Sequence, residues 1–188
     1  MDPQFIVVTG GPGVGKTTLL SALEKQGHVC VPEVARALIK EQVAAGGTAV
    51  PWLDRPAFCD LMVGRSLASE SRLRARVLGS QLIFFDRGLP DIKAFRRLIS
   101  IPEDPVLEKA IVSHRYFKTV FLLPPWEEIY SVDSERKQDF EEVVRTDRLM
   151  RQTYRDCGYE IEEVPRLKVQ ERAQFVLNRC PPRISREI

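Results

Sequence analysis

Gly10-Gly11-Pro12-Gly13-Val14-Gly15-Lys16-Thr17 is the stretch that decides the reading of this chain. Its spacing matches GxxxxGK[ST]. Glycines let a backbone curl until successive N–H groups point inward at phosphate oxygens. Lys16 offers a point charge to the β- and γ-phosphates, and Thr17 offers a hydroxyl to Mg²⁺. A helix opening at Lys16 adds its positive end. The stretch follows Phe5-Ile6-Val7-Val8, a run suited to a buried parallel strand, and a helical pattern runs on from Lys16 to Gln26, stopping at Gly27. Strand, glycine-rich turn and helix in this order point to nucleotide binding. The candidate nucleotide-binding residues are Gly10, Gly11, Pro12, Gly13, Val14, Gly15, Lys16, Thr17 and Thr18. The expected cofactors are ATP or GTP, with Mg²⁺.

Outward from this loop the chain alternates strand and helix. Strands are expected at Val29–Val31, Leu82–Phe85, Thr119–Leu123 and Tyr159–Val164. Helices are expected at Val34–Ala44, Phe58–Val77, Asp91–Leu98, Val106–Arg115, Gln138–Cys157 and Val169–Arg179, with a loop over Ala49–Pro56. Strands joined through helices need crossovers, so the fold class is α/β, a parallel sheet with helices on both faces. One residue breaks the pattern: Asp147 shares the apolar stripe of Phe140, Val143, Met150 and Tyr154. No linker interrupts residues 1–188, which read as one domain.

In an open parallel sheet, ligands bind at the C-terminal strand edges. Two further strands end there in an acid. Phe84-Phe85-Asp86-Arg87-Gly88 places Asp86 where a carboxylate holds Mg²⁺, directly or through water. A turn or cap role is its structural alternative. Arg87 suits a substrate phosphate or a surface ion pair. In Val31-Pro32-Glu33-Val34-Ala35-Arg36, Glu33 is placed to face an acceptor hydroxyl, with Arg36 on the same acceptor side. A glutamate favoured by the helix dipole is the alternative. Asp91, after Pro90, reads equally as a helix N-cap.

Tyr130 to Phe140 is dense in charge, and Arg145, Arg148 and Arg151 follow. An arginine closing over a transferring phosphoryl group lowers the barrier, so residues 130–148 form a candidate lid with Arg136 or Lys137 as the closing cation. A solvated helix face with i,i+4 ion pairs is the competing account. Arg136-Lys137-Gln138-Asp139 lacks the first letter of the guanine-reading [NT]KxD pattern, so it does not indicate GTP specificity. Arg65 falls on the apolar face of its helix, where snorkelling accounts for it.

The balance of the chain limits the alternatives. Its 188 residues carry 28 Lys+Arg against 26 Asp+Glu, a net charge of +2. That gives no support to a dedicated nucleic-acid binder. No apolar run reaches the ~20 residues of a membrane span. The start, Met1-Asp2-Pro3-Gln4, lacks a basic n-region, so no signal peptide is expected. Cys30, Cys59, Cys157 and Cys180 are scattered. They suit reduced thiols in a cytoplasmic protein.

GGPGVGKTT, PEVAR after strand two, FFDRGLPD after strand three and the late D-x-E-R-K together resemble a family. It is that of the P-loop, kinase-like predicted ATPases related to the ribosylnicotinamide kinase domain of NadR, also labelled small AAA-type domains. The resemblance covers nearly the whole chain. It implies a P-loop NTPase three-layer sandwich with strand order 2-3-1-4-5, a nucleoside-triphosphate site and a lid. It further implies Asp86 as the magnesium acid, Arg136 as the lid arginine, and Glu33 and Arg87 as acceptor-site residues. Two activities follow as expectations. One is a phosphotransferase moving the γ-phosphate to a small hydroxylated, nucleoside-like acceptor, with Lys16, Glu33, Asp86 and Arg136 catalytic. The other is a nucleotide-dependent switch or weak ATPase or GTPase that binds a protein or phospholipid partner.

Overall fold

The computed structural model describes residues 4–77, 81–129 and 140–181. Its centre is a sheet of five parallel strands: β1 (Gln4–Thr9), β2 (Val29–Val31), β3 (Leu82–Asp86), β4 (Thr119–Leu122) and β5 (Glu160–Glu163). Their order is β2-β3-β1-β4-β5, the order that the family resemblance implies. The helices are α1 (Lys16–Lys25), α2 (Val34–Ala45), α3 (Arg55–Arg76), α4 (Leu89–Leu98), α5 (Pro105–Ser113), α6 (Phe140–Asp156) and α7 (Val169–Leu177).

Both faces of the sheet are covered, because successive strand side chains point to opposite sides. Phe5, Val7, Ile83, Phe85 and Val120 face α2, α3, α4 and α5, while Ile6, Val8, Phe84 and Phe121 face α1 and α7. Helix α6 serves both sides: Val143 joins the α1 side, and Tyr154 joins the other. None of the described helices is long and apolar enough to cross a membrane.

Several boundaries differ from the sequence reading for local reasons. Helix α3 opens at Arg55 because the Asp54 side chain accepts a hydrogen bond from the Ala57 N–H at 3.0 Å, so the preceding loop ends before Pro56. Helix α4 opens at Leu89, with Gly88 as its N-cap. Asp91 is therefore the third residue of the helix and not its N-cap. Its carboxylate accepts from the Gly88 N–H at 2.8 Å. Arg65 lies on the surface rather than on an apolar face, and its Nη1 donates to Glu41 of α2 at 2.9 Å.

Asp147 is buried on the α6 stripe because it has a partner. Arg151 donates to it at 2.6 Å and reaches on to Glu163 of β5, also at 2.6 Å. β5 is an edge strand, and its other acids pair likewise, Glu160 with Lys118 and Glu162 with Arg179. Charges along an edge oppose pairing with another chain.

Candidate active site

The chain turns out of β1 through Gly10, whose φ of 139° favours glycine. A Cβ there would sit 2.5 Å from the Leu123 carbonyl oxygen, so the turn is closed to any side chain. The loop enters α1 at Gly15 (φ 89°), and no side chain caps the first turn. The free N–H groups of that turn and the loop are what an anion needs.

Lys16 arches back over the loop, and its Nζ donates to the carbonyls of Gly10 and Gly11, both at 2.9 Å. Only 7% of the residue is exposed. Burial lowers its pKa from the ordinary lysine range to about 8; Arg87 pushes the same way, against the pull of Asp86, Glu33 and Asp91. Its closest partners are neutral, so an arriving phosphate would meet an undercompensated cation. Thr17 and Thr18 are exposed on the first turn of α1.

Asp86 ends β3 at the register of Val8, beside the start of the loop. Its Oδ1 is buried and has no hydrogen-bond partner. Burial raises its pKa, and Lys16 and Arg87 oppose that rise. An orphaned carboxylate oxygen next to the Thr17 hydroxyl's helix and the Lys16 ammonium fits a divalent cation completed by phosphate oxygens and water.

Arg87 follows with φ 73°, an uncommon conformation for a side-chain-bearing residue. It turns the guanidinium to Glu33 at 2.8 Å and Asp91 at 3.2 Å. Glu33 occupies the N-cap position of α2 but caps nothing; it takes Arg87, with Arg36 at 3.3 Å on its other oxygen. Burial pushes the Glu33 carboxyl up, but Arg87, Lys16 and Arg36 outweigh it and hold the pKa below the usual range. Arg87 stays protonated: burial opposes its charge, and Glu33, Asp91 and Asp86 more than compensate.

Asp91, 6% exposed, anchors this group. Besides Gly88 and Arg87 it accepts from the hydroxyls of Thr9 and Tyr154. A carboxylate fully occupied by four donors positions Arg87 and has no capacity left for a ligand.

These residues open on a cavity of about 290 Å³. It reaches from Pro12 of the loop past Glu33, Asp86 and Arg87 to an apolar interior that includes Phe58, Met62 and Phe95. Its volume lies at the small end for ligand sites, with the expected apolar body and few polar groups. Sequence reading missed its inner wall. Glu70 of α3 is 1% exposed and accepts from the Tyr116 hydroxyl through Oε1, and burial raises its pKa. The signal was present, since Phe58, Met62, Ser66 and Glu70 follow one i,i+4 row.

Arg172 of α7 was missed as well. It is buried against the loop, and a Cβ on Gly15 would lie 2.9 Å from its Nη1. Its Nε and Nη1 lack partners, and its guanidinium stands 5.6 Å from the centre of the Trp126 ring.

Of the other basic candidates, Arg151 is committed to Asp147 and Glu163. Arg145 and Arg148 are exposed on α6. Arg136, Lys137 and residues 130–139 of the expected lid lie outside the described residues.

The loop, the acid at the end of β3 and the strand order are the frame in which known proteins match. A family model described as an AAA domain matches residues 5–172. The chain belongs to that family. No curated protein sequence matches the chain. Solved structures do, at identities that speak to fold alone. A NadR protein in complex with NR superposes with a TM-score of 0.69 at 19% identity, over 94% of this chain and 49% of that one. Thymidylate kinase from Ehrlichia chaffeensis gives 0.62 at 14%, over 95% and 98%. Shikimate kinase from Acinetobacter baumannii, in complex with shikimate, gives 0.55 at 16%, over 93% and 91%. The AAA domain therefore has the fold of P-loop kinases.

Proposed function

We propose that this AAA domain is a phosphotransferase that binds ATP and Mg²⁺ and moves the γ-phosphate to a small hydroxylated, nucleoside-like acceptor. The observation that carries this reading is the cavity opening beside the phosphate loop, with Glu33, Asp86 and Arg87 between the two. A switch needs a nucleotide site and a surface that changes; it does not need an apolar chamber beside the phosphate loop.

In this reading the loop N–H groups and Lys16 hold the triphosphate, and Arg172 adds positive charge behind Gly15. Thr17 and Asp86 hold Mg²⁺, which offsets charge on the β- and γ-phosphates. The acceptor hydroxyl oxygen bonds to the γ-phosphorus as the bond to the bridging oxygen breaks, and ADP leaves. Glu33 orients the hydroxyl and takes its proton. Its depressed basicity suits a loose transition state, in which the nucleophile needs little activation. Arg87 meets the transferred group as charge spreads over its oxygens, and Arg136 is the reading's lid cation. The four unpaired cysteines suit a reducing cytoplasm.

The test is transfer of labelled γ-phosphate, with Mg²⁺, to a panel of nucleosides and to a small-molecule extract, with Lys16→Ala as the control. Label appearing in an acceptor only with intact Lys16 is the expected result. Nucleotide binding that yields free phosphate alone, or none, overturns the reading in favour of the switch.

A further inference from the structure

Three side chains in the wall of the cavity carry a buried oxygen without a hydrogen-bond partner: Asp86, Thr146 and Glu70. Buried polar atoms are normally satisfied, so three orphans in one chamber ask for a ligand. Asp86 belongs to the phosphate side. Glu70 stands on the inner wall among apolar groups, where the reaction gives it no task.

The Oε1 end of Glu70 is fixed by its neighbours. The Tyr116 hydroxyl accepts from the Leu89 N–H at 3.2 Å and donates its one proton to Glu70 Oε1. That leaves Oε2 as an acceptor without a donor. The basic groups that act on Glu70 from a distance are His114 and Arg74. Both are engaged elsewhere: the His114 ring lies within hydrogen-bond distance of Ser113 and Ala110, and Arg74 lies over the Phe5 ring at 4.3 Å. Ser66, one turn earlier on α3, shares the cavity wall. A ring filling the space between Phe58, Met62 and Phe95 would present its edge to this group.

We infer that Glu70 selects the acceptor: its Oε2 takes a hydrogen bond from an amino or ring N–H group, so the cavity prefers nucleoside-like molecules whose ring edge carries a donor. This rests on the cavity being the acceptor site of the proposed reaction. A site built around a buried polar atom discriminates strongly against a ligand that leaves the atom unmet.

The experiment is calorimetric binding, with the whole chain, of ligand pairs differing only by an exocyclic amino group: adenosine against purine riboside, and cytidine against pyrimidin-2-one riboside. Each compound is also offered as an acceptor for labelled γ-phosphate. The amino member should bind at least about tenfold more tightly in one pair or both. Glu70→Gln, which puts a donor where Oε2 was, should cut that ratio to about threefold or less. Glu70→Met, which removes the buried carboxylate, should also abolish the preference; it leaves the Tyr116 hydroxyl without its acceptor, so its folding is checked by thermal unfolding beside Glu70→Gln.

Equal affinity within both pairs, no binding of any compound, or a preference that both variants retain overturns the inference. Selective binding without phosphate transfer upholds the role of Glu70 and overturns the phosphotransferase. Transfer without discrimination does the reverse.

Discussion

Lys16 is the residue where binding and stability are most directly opposed. Its pKa is about 8 in the folded chain, against 10.5 for a free lysine. Between those values the unfolded chain holds the extra proton, so the stability tied to this group rises with pH across that window. Below pH 8 its full cost is present, about 3 kcal/mol from the size of the shift. Lys16→Met should therefore raise the unfolding free energy at pH 7 by about 1–3 kcal/mol and remove the rise above pH 8, as read from urea transitions across that range. The same substitution should abolish nucleotide binding. A triphosphate raises the Lys16 pKa again, so binding to the unaltered chain at about pH 8.5 should take up protons, measurable by calorimetry in buffers of different ionisation enthalpy. Asp91 shows the opposite case, a buried carboxylate on which four donors converge. Asp91→Ala leaves Thr9 and Tyr154 without their acceptor and Arg87 with Glu33 alone, and should cost about 3–5 kcal/mol in urea unfolding. Tyr154→Phe removes only one donor and should cost about 1 kcal/mol.

At the scale of elements, the β1–loop–α1 unit is defined by backbone that admits no side chain. Gly10 and Gly27 both have φ in the left-handed range. A Cβ at Gly27 meets nothing within 4 Å, whereas one at Gly10 meets the Leu123 carbonyl. Gly27→Ala should cost about 1 kcal/mol, from conformation alone. Gly10→Ala should cost at least about twice that and reduce nucleotide affinity, because β4 and the loop must separate; thermal unfolding and nucleotide titration read the two effects. This unit was also the most legible part of the sequence, since its glycines, β-branched strand and opening helix lie within about twenty residues of one another. The parallel sheet followed from strands alternating with helices, whereas the order of its strands came only with the family resemblance. The inner wall of the cavity was less legible for a physical reason. Glu70 bonds to Tyr116 across 46 positions, and Asp91 bonds to Tyr154 across 63 and to Thr9 across 82. Local pattern shows an acid on an apolar stripe but not the partner that makes it tolerable. Asp147 was visible in that way, and its partner Arg151 lies four residues on, within the i,i+4 pairing that the sequence reading weighed, whereas Asp91 passed for a helix cap because Pro90 precedes it.

Across the whole molecule, a net charge of only +2 hides an uneven distribution. Arg55, Arg145 and Arg148 are exposed around a depression that shares Pro51, Phe95, Leu98 and Leu149 with the wall of the cavity beside the phosphate loop. Helix α6, which carries two of them, also lies over the phosphate loop: a Cβ on Gly11 would come within 3.0 Å of Val143. Arg97, in the same depression, is neutralised by Asp156 at 2.6 Å and Glu103 at 3.2 Å, and Glu142 also lines it, so the exposed arginines outnumber the one remaining acid there. Charges of this kind act on approach rather than on the docked complex, because water screens them once the ligand is seated on shorter contacts. A nucleoside triphosphate should then associate more slowly as salt rises from about 20 to 200 mM, with little change in its dissociation rate. Replacing Arg145 and Arg148 together by serine should lower the association rate at low salt by about three- to tenfold and flatten its salt dependence. Stopped-flow binding of a fluorescent ATP analogue measures both. An unchanged association rate in the double variant would mean that the nucleotide approaches from the α1–α7 side, past Trp126 and Arg172, without crossing this rim.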